Sequence, residues 1–307
     1  VASDEREFIR WLSVQKRQQH DAVRTGIGDD MAVLCIGGQT ILVSTDMLLD
    51  GVHFETAKHA PETIGYKAIA CCLSDCAAMA VRPVAVCLSL AASPDYDEPM
   101  IKSLMQAAVD ACEAFECELV GGDTTRWDQP LAIDVAVTAE CYPDIAPVLR
   151  GNARLDDRLF VTGPLGGSRG GKHMTFVPRI AEAHLIAQTL GKRLHAMIDV
   201  SDGLAIDADR VAEASGVGVI LDEAALEFVA SSAARELAGA NGRSVIERVL
   251  GDGEDFELLL AADVEDAEID ELHLTPVGVV AAGSGMSIRT PAGDVKPLTP
   301  TGYQHLR

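Results

Sequence analysis

Aspartate and glutamate gather in six short clusters along this chain, most of them beside glycine or at the edge of an apolar run. Carboxylates that a fold brings together bind hard divalent cations, and such cations can hold phosphate oxygens. In Gly26-Ile27-Gly28-Asp29-Asp30 two adjacent acids follow a glycine turn, as a cation ligand or as a solvated turn. Ile41-Leu42-Val43-Ser44-Thr45-Asp46 reads as a strand that delivers an acid at its carboxyl end, a usual place for ligand groups in α/β folds. The alternative for Asp46 is a helix cap or a turn. Asp50-Gly51-Val52-His53-Phe54 follows closely and adds one histidine.

Asp75 carries the strongest physical argument. Ala68 to Ala80 is apolar nearly all round, which predicts a buried helix with Asp75 in its middle. An unpaired carboxylate there costs on the order of several kcal/mol, so Asp75 requires a metal, a basic partner or several hydrogen-bond donors. Glu118 to Arg126 contains Gly121-Gly122-Asp123 and reads as a turn whose amides can hold phosphate oxygens, with Asp123 open to a bridging metal. In Ala196 to Leu204 a strand ends in Asp199, Ser201 is placed to cap the next helix, and Asp202 follows three residues after Asp199. Gly251-Asp252-Gly253-Glu254-Asp255-Phe256-Glu257 puts four acids in seven residues, either as a solvated loop or as part of a site.

Other chemistries lack their residues. There is no G-x-x-x-x-G-K-[ST] phosphate loop and no protein-kinase His-Arg-Asp or Asp-Phe-Gly set. The eight cysteines include no C-x-x-C pair, and most lie in apolar runs such as Val86-Cys87-Leu88, as buried thiols of a reducing cytoplasm would. A formal net charge of −22 argues against nucleic-acid and anionic-membrane partners. No apolar run reaches membrane-spanning length, and Val1 to Arg6 does not begin a secretory signal. Lys67, Arg126 and Arg150 are the basic residues nearest the candidate phosphate sites.

The elements that must position these groups alternate between helix and strand. Helices are expected over Asp4 to Gln15, with Asp4 and Glu7 as a capping box, and over Pro61 to Met79, Pro99 to Phe115 and Ser201 to Ala214. Strands are expected over Met31 to Ile36, Thr40 to Thr45, Val84 to Leu90 (a buried one), Leu131 to Ala139, Arg158 to Thr162, Ala196 to Asp199, Val217 to Leu221 and Phe256 to Ala261. With 307 residues and a proline-rich break at Tyr142 to Pro147, this predicts an α/β (α+β) chain of two domains, 1–143 and 148–307.

Taken in order, GIGDD at 26–30, STD at 44–46 with GVHF at 51–54, GYKAIACCLSDCAAMA at 65–80, GGDTTR at 121–126, IDVSDGL at 198–204 and GDGEDFELLL at 251–260 resemble the thiamine-monophosphate kinase family. EREFIRWL at 5–12 and Gly302-Tyr303-Gln304-His305 are also similar. The resemblance implies an aminoimidazole ribonucleotide synthetase-like fold, a homodimer formed through the N-terminal sheet, and ATP held by several magnesium ions. It implies thiamine monophosphate as the acceptor and direct transfer of the γ-phosphoryl group. It makes Asp30, Thr45, Asp46, Asp75, Asp123, Asp199 and Asp202 magnesium ligands, with Asp29 nearby. Gly122, Asp123, Arg150 and Ser201 become ATP contacts, and His53, Glu254 and Tyr303 acceptor contacts. It implies no obligatory catalytic base.

Two departures bear on the acceptor side. Between Ser168 and Pro178 the chain is shorter than the family pattern, as if a helix were missing. Cys71-Cys72 stands where the family more often has an apolar residue and asparagine. Related readings are another ATP-using synthetase of the same superfamily and a nucleotide-binding protein without catalysis. Residues 1–25 contain no cysteine, which disfavours a selenophosphate synthetase.

Overall fold

The computed structural model describes residues 5–15 and 20–303. The expected cap at Asp4 and the residues Gln304 and His305 lie outside them. The first half runs α1 (Glu5–Val14), β1 (Val23–Thr25), β2 (Ala32–Ile36), β3 (Gln39–Leu49), α2 (Pro61–Ala78), β4 (Val81–Ala92), α3 (Glu98–Ala114), β5 (Glu118–Arg126) and β6 (Ala132–Cys141). Its strands form one sheet in the order β1-β2-β3-β6-β4-β5, in which only the β4–β5 pair is parallel.

Pro61 opens α2 at its first turn, and the helix is apolar all round because it is covered on all sides. Ile64, Ala68, Cys72 and Leu73 join Val86, Leu88, Val135 and Val137 of the sheet in one buried core. Among the described residues, the opposite sheet face is open. Period-two alternation leaves Met47 60% exposed and Val84 44% exposed there, and also exposes Thr45 and Cys87. The buried strand expected at 84–90 is therefore covered on one face only, and Cys87 is not a buried thiol.

The second half runs β7 (Arg158–Val161), α4 (Ile180–Leu190), β8 (Leu194–Asp199), α5 (Leu204–Ser215), β9 (Gly218–Asp222), α6 (Glu223–Val229), α7 (Ser232–Glu236), α8 (Val245–Gly251), β10 (Leu258–Ala262), α9 (Asp266–Glu271), β11 (Thr275–Ala281), β12 (Gly285–Arg289) and β13 (Val295–Leu298). Its sheet has the order β13-β12-β9-β11-β7-β10-β8, with β9–β12 parallel. Separate apolar clusters cover its two faces, and Ala77 and Ala80 beside the end of α2 belong to one of them. The molecule is thus a two-domain α/β structure in which α2 packs between the halves. Residues 142–157 connect the sheets without helix or strand, and the Tyr142 ring stacks on His184 of α4 at 3.7 Å.

Three local expectations are corrected. Residues 118–126 are an edge strand and not a glycine turn. Parallel pairing with β4 overrides the weak strand preference of the glycines, and a Cβ on Gly122 would meet the Leu88 carbonyl oxygen at 1.8 Å. β3 continues to Leu49 along β6, so Asp46 lies within a strand and not at its end. Ser201 does not cap α5, which begins at Leu204 behind Gly203. The Asp207 carboxylate instead accepts the Asp202 and Gly203 amides, both at 3.1 Å.

Candidate active site

Asp30 ahead of β2, Asp75 in α2 and Asp199 at the end of β8 meet at one point. One carboxylate oxygen of each lies within 4.8 Å of the others. Asp199 Oδ2 accepts the Ser74 hydroxyl at 2.6 Å, and Asp30 Oδ1 accepts Arg150 Nη2 at 2.5 Å. Asp30 Oδ2 is buried and has no hydrogen-bond partner. Burial pushes the Asp75 carboxyl well above the usual range, and Asp46, Asp199 and Asp30 push it further. Asp199 is raised well above that range by burial and by Asp30. Hard oxygens held together against their own repulsion, one of them unpartnered, fit a divalent cation.

The trio adjoins a cleft of about 500 Å³ between the halves, lined by Asp46, His53, Asp75, Asp199, Ser201, Asp202, Glu254 and Tyr303 among others. Its far wall is made of loops in backbone contact. Glu254 N–H donates to the Ser201 carbonyl at 2.6 Å, and Tyr303 N–H to the Asp202 carbonyl at 2.9 Å. A Cβ on Gly253 would sit 2.7 Å from the Ser201 carbonyl oxygen, so that approach requires glycine. His53 Nδ1 accepts the Leu49 amide at 3.0 Å, which puts the proton of the neutral ring on Nε2. Asp202 pairs with Arg210 at 2.5 Å. A second cavity of about 240 Å³ shares Tyr303 and is walled in part by Ile27, Arg150, Ile206 and Arg210.

The structure does not bring every expected ligand to the trio. Thr45 lies on the open face of β3, where its hydroxyl donates to Asp134 Oδ1 at 2.9 Å. Gly122 and Asp123 lie on the edge strand β5, and Asp123 is exposed. Arg126 is exposed as well. Arg150 turns inward to Asp29 and Asp30. Asp29 is raised to about 6, first by burial and then by Asp30.

The four acids at 252–257 are no solvated loop. Asp252 pairs with Arg243 and Arg248. Glu254 pairs with Lys67, and Asp255 and Glu257 are fully buried. Glu257 takes both Arg179 and Lys172, each within 2.8 Å, and the Thr162 hydroxyl at 2.9 Å. Those two cations anchor the short 168–179 segment, where two 3-10 turns stand in place of a helix. Arg169 from that segment lies over the Tyr303 ring, 5.5 Å from its centroid. Sequence reasoning missed Ser74, although it adjoins Asp75, and missed Arg210, three residues from Asp207.

Residues 28–141 match the model of the AIR synthase related protein, N-terminal domain. The chain is 34% identical to the thiamine-monophosphate kinase of Rhodopirellula baltica, over 98% of this chain and 97% of that one. It is 30% identical to that of Aquifex aeolicus, over 91% and 92%. A solved structure of AaThiL complexed with AMPPCP and TMP superposes with a TM-score of 0.83 at 28% identity, covering 98% of this chain and 97% of that chain. With such identity across almost its whole length, the chain belongs to the thiamine-monophosphate kinase family and is a kinase on an AIR synthase-like fold.

Proposed function

We propose that this chain transfers the γ-phosphoryl group of ATP in line to thiamine monophosphate, giving ADP and thiamine diphosphate, and that it requires Mg2+. The observation that carries the reading is the convergence of Asp30, Asp75 and Asp199 beside the cleft. These three would hold magnesium, with Asp46 and Asp202 adjacent on the cleft wall. When bound, magnesium supplies neutralisation of charge on the phosphate oxygens. Ser74 and Arg150 fix the orientation of Asp199 and Asp30. His53, Glu254 and Tyr303 line the remainder of the cleft and are assigned to the acceptor. Its attacking atom is already an anionic phosphate oxygen, so no general base is needed.

The two domains are drawn at 1–143 and 148–307, with the cleft at their junction. We assign the open face of the N-terminal sheet to a homodimer, supported by the exposed apolar side chains Met47, Val84 and Val120. The cytoplasm suits the eight cysteines, all of them free thiols. No described helix is long and apolar enough to cross a membrane.

Incubation with γ-labelled ATP, thiamine monophosphate and Mg2+ tests the reading. The label is expected in thiamine diphosphate, with ADP as the other product. Label released as free phosphate, or formation of AMP, would contradict it.

A further inference from the structure

His53 and Glu254, both assigned to the acceptor, come from opposite halves of the chain, and Lys67 of α2 joins them. Its ammonium donates to the His53 carbonyl at 2.7 Å and to Glu254 Oε1 at 2.5 Å. The Lys67 side chain is completely buried. An ammonium removed from water is tolerated only where fixed oxygens replace its hydration, so these two contacts hold it firmly. Arg169 also approaches Glu254, at 3.5 Å from Oε2, but its side chain is 58% exposed. A screened pair of that kind contributes little, which leaves Lys67 as the group that sets the carboxylate.

Glu254 also has a left-handed backbone, with φ at +64°. A non-glycine residue keeps that conformation only where its surroundings over-determine it. Here they do so through the Ser201 carbonyl on its amide and Lys67 on its side chain. Glu254 Oε1 is occupied by Lys67, whereas Oε2 makes no hydrogen bond.

We infer that Lys67 is a positioning residue for the acceptor. It fixes Glu254 relative to His53 across the domain junction, so that Oε2 is preset for a hydrogen-bond donor or a positive charge on the acceptor. This rests on the reading of the cleft as the acceptor site. Lys67 acts through Glu254 and does not itself touch the reacting atoms.

Saturation curves for both substrates test this in wild type, Lys67→Met, Glu254→Gln and the double variant. In Lys67→Met the KM for thiamine monophosphate rises about tenfold or more, while that for ATP stays within about twofold. The double variant stays close to Glu254→Gln alone and well short of the product of the two single effects, because Lys67 acts on the acceptor mainly through the carboxylate that Glu254→Gln removes. If Lys67→Met does not fold, the double variant, which leaves no buried carboxylate without its partner, carries the comparison with Glu254→Gln. Equal rises in both KM values, an unmoved acceptor KM, or a double variant showing the product of the two single effects would each overturn the inference. A wild type that makes no thiamine diphosphate in the same assay defeats the functional reading itself, and the inference with it.

Discussion

Ser74 of α2 donates to Asp199 Oδ2 at 2.6 Å, tying a helix of the first half to the last residue of a strand in the second. The next residue, Asp75, completes the trio with Asp30. The candidate metal site therefore exists only when the two halves are docked.

Removing one charge from this trio separates function from stability. In Asp75→Asn, turnover falls on the order of 100-fold or more, because a cation ligand is lost. The metal-free variant melts above the metal-free wild type, because a buried carboxylate repelled by Asp46, Asp199 and Asp30 has become neutral. Steady-state assays and thermal melts check both outcomes. Wild-type-like turnover would remove Asp75 from the site.

The same carboxylates make metal binding dependent on pH. Asp75 and Asp199 have folded pKa values raised above the ordinary 3.8 by burial and mutual repulsion. Stability is then full below that value and is lost as pH rises through the window above it, where the unfolded chain gives up its protons first. A bound cation favours the ionised forms, so the gain in melting temperature from Mg2+ is larger near about pH 8 than near about pH 5. Melts with and without Mg2+ at both pH values measure it.

Asp255 offers a separate pH test, away from the trio. Burial raises it from 3.8 to about 7, against an opposing pull from Lys172. Its Oδ2 accepts the Gly166 amide at 2.8 Å, and Oδ1 is buried without a partner. Asparagine keeps the acceptor and carries no charge. Asp255→Asn is thus expected to match wild type near about pH 4 and to exceed it near about pH 8, by at most about 4 kcal/mol for a shift of that size. Denaturant unfolding at the two pH values distinguishes this from a uniform effect.

Ala136 of β6 lies opposite Thr45 on one side and Cys87 on the other, on the open sheet face. Ala136→Arg places a charge in the surface assigned to the homodimer, with no core packing to disturb. Sedimentation is expected to show a shift from dimer to monomer with a melting temperature reflecting only that dissociation. An unchanged dimer would move the interface elsewhere.

Asp75 was legible from sequence because an acid within an all-apolar helix has no local explanation, and Asp199 because it closes an apolar strand. The bonds that hold the site were not legible. Ser74 with Asp199, and Lys67 with Glu254, are separated by more than a hundred residues, and no short-range pattern encodes them. Residues 118–126 misled because paired glycines imitate a turn when the neighbouring strand is unseen. Thr45 and Asp46 are adjacent, so strand periodicity sends one to the open face and the other to the cleft. The acids of 252–257 read equally as a solvated loop or as part of a site because their basic partners lie elsewhere in the chain.

Counting bound Mn2+, used in place of Mg2+, by electron paramagnetic resonance tests the central claim most directly. Wild type and the single variants Asp30→Asn, Asp75→Asn and Asp199→Asn would be titrated with AMPPCP present. A shared site predicts that all three variants lose the same bound ion or weaken it together. Unchanged ion number and affinity in all three would mean that these carboxylates hold no metal.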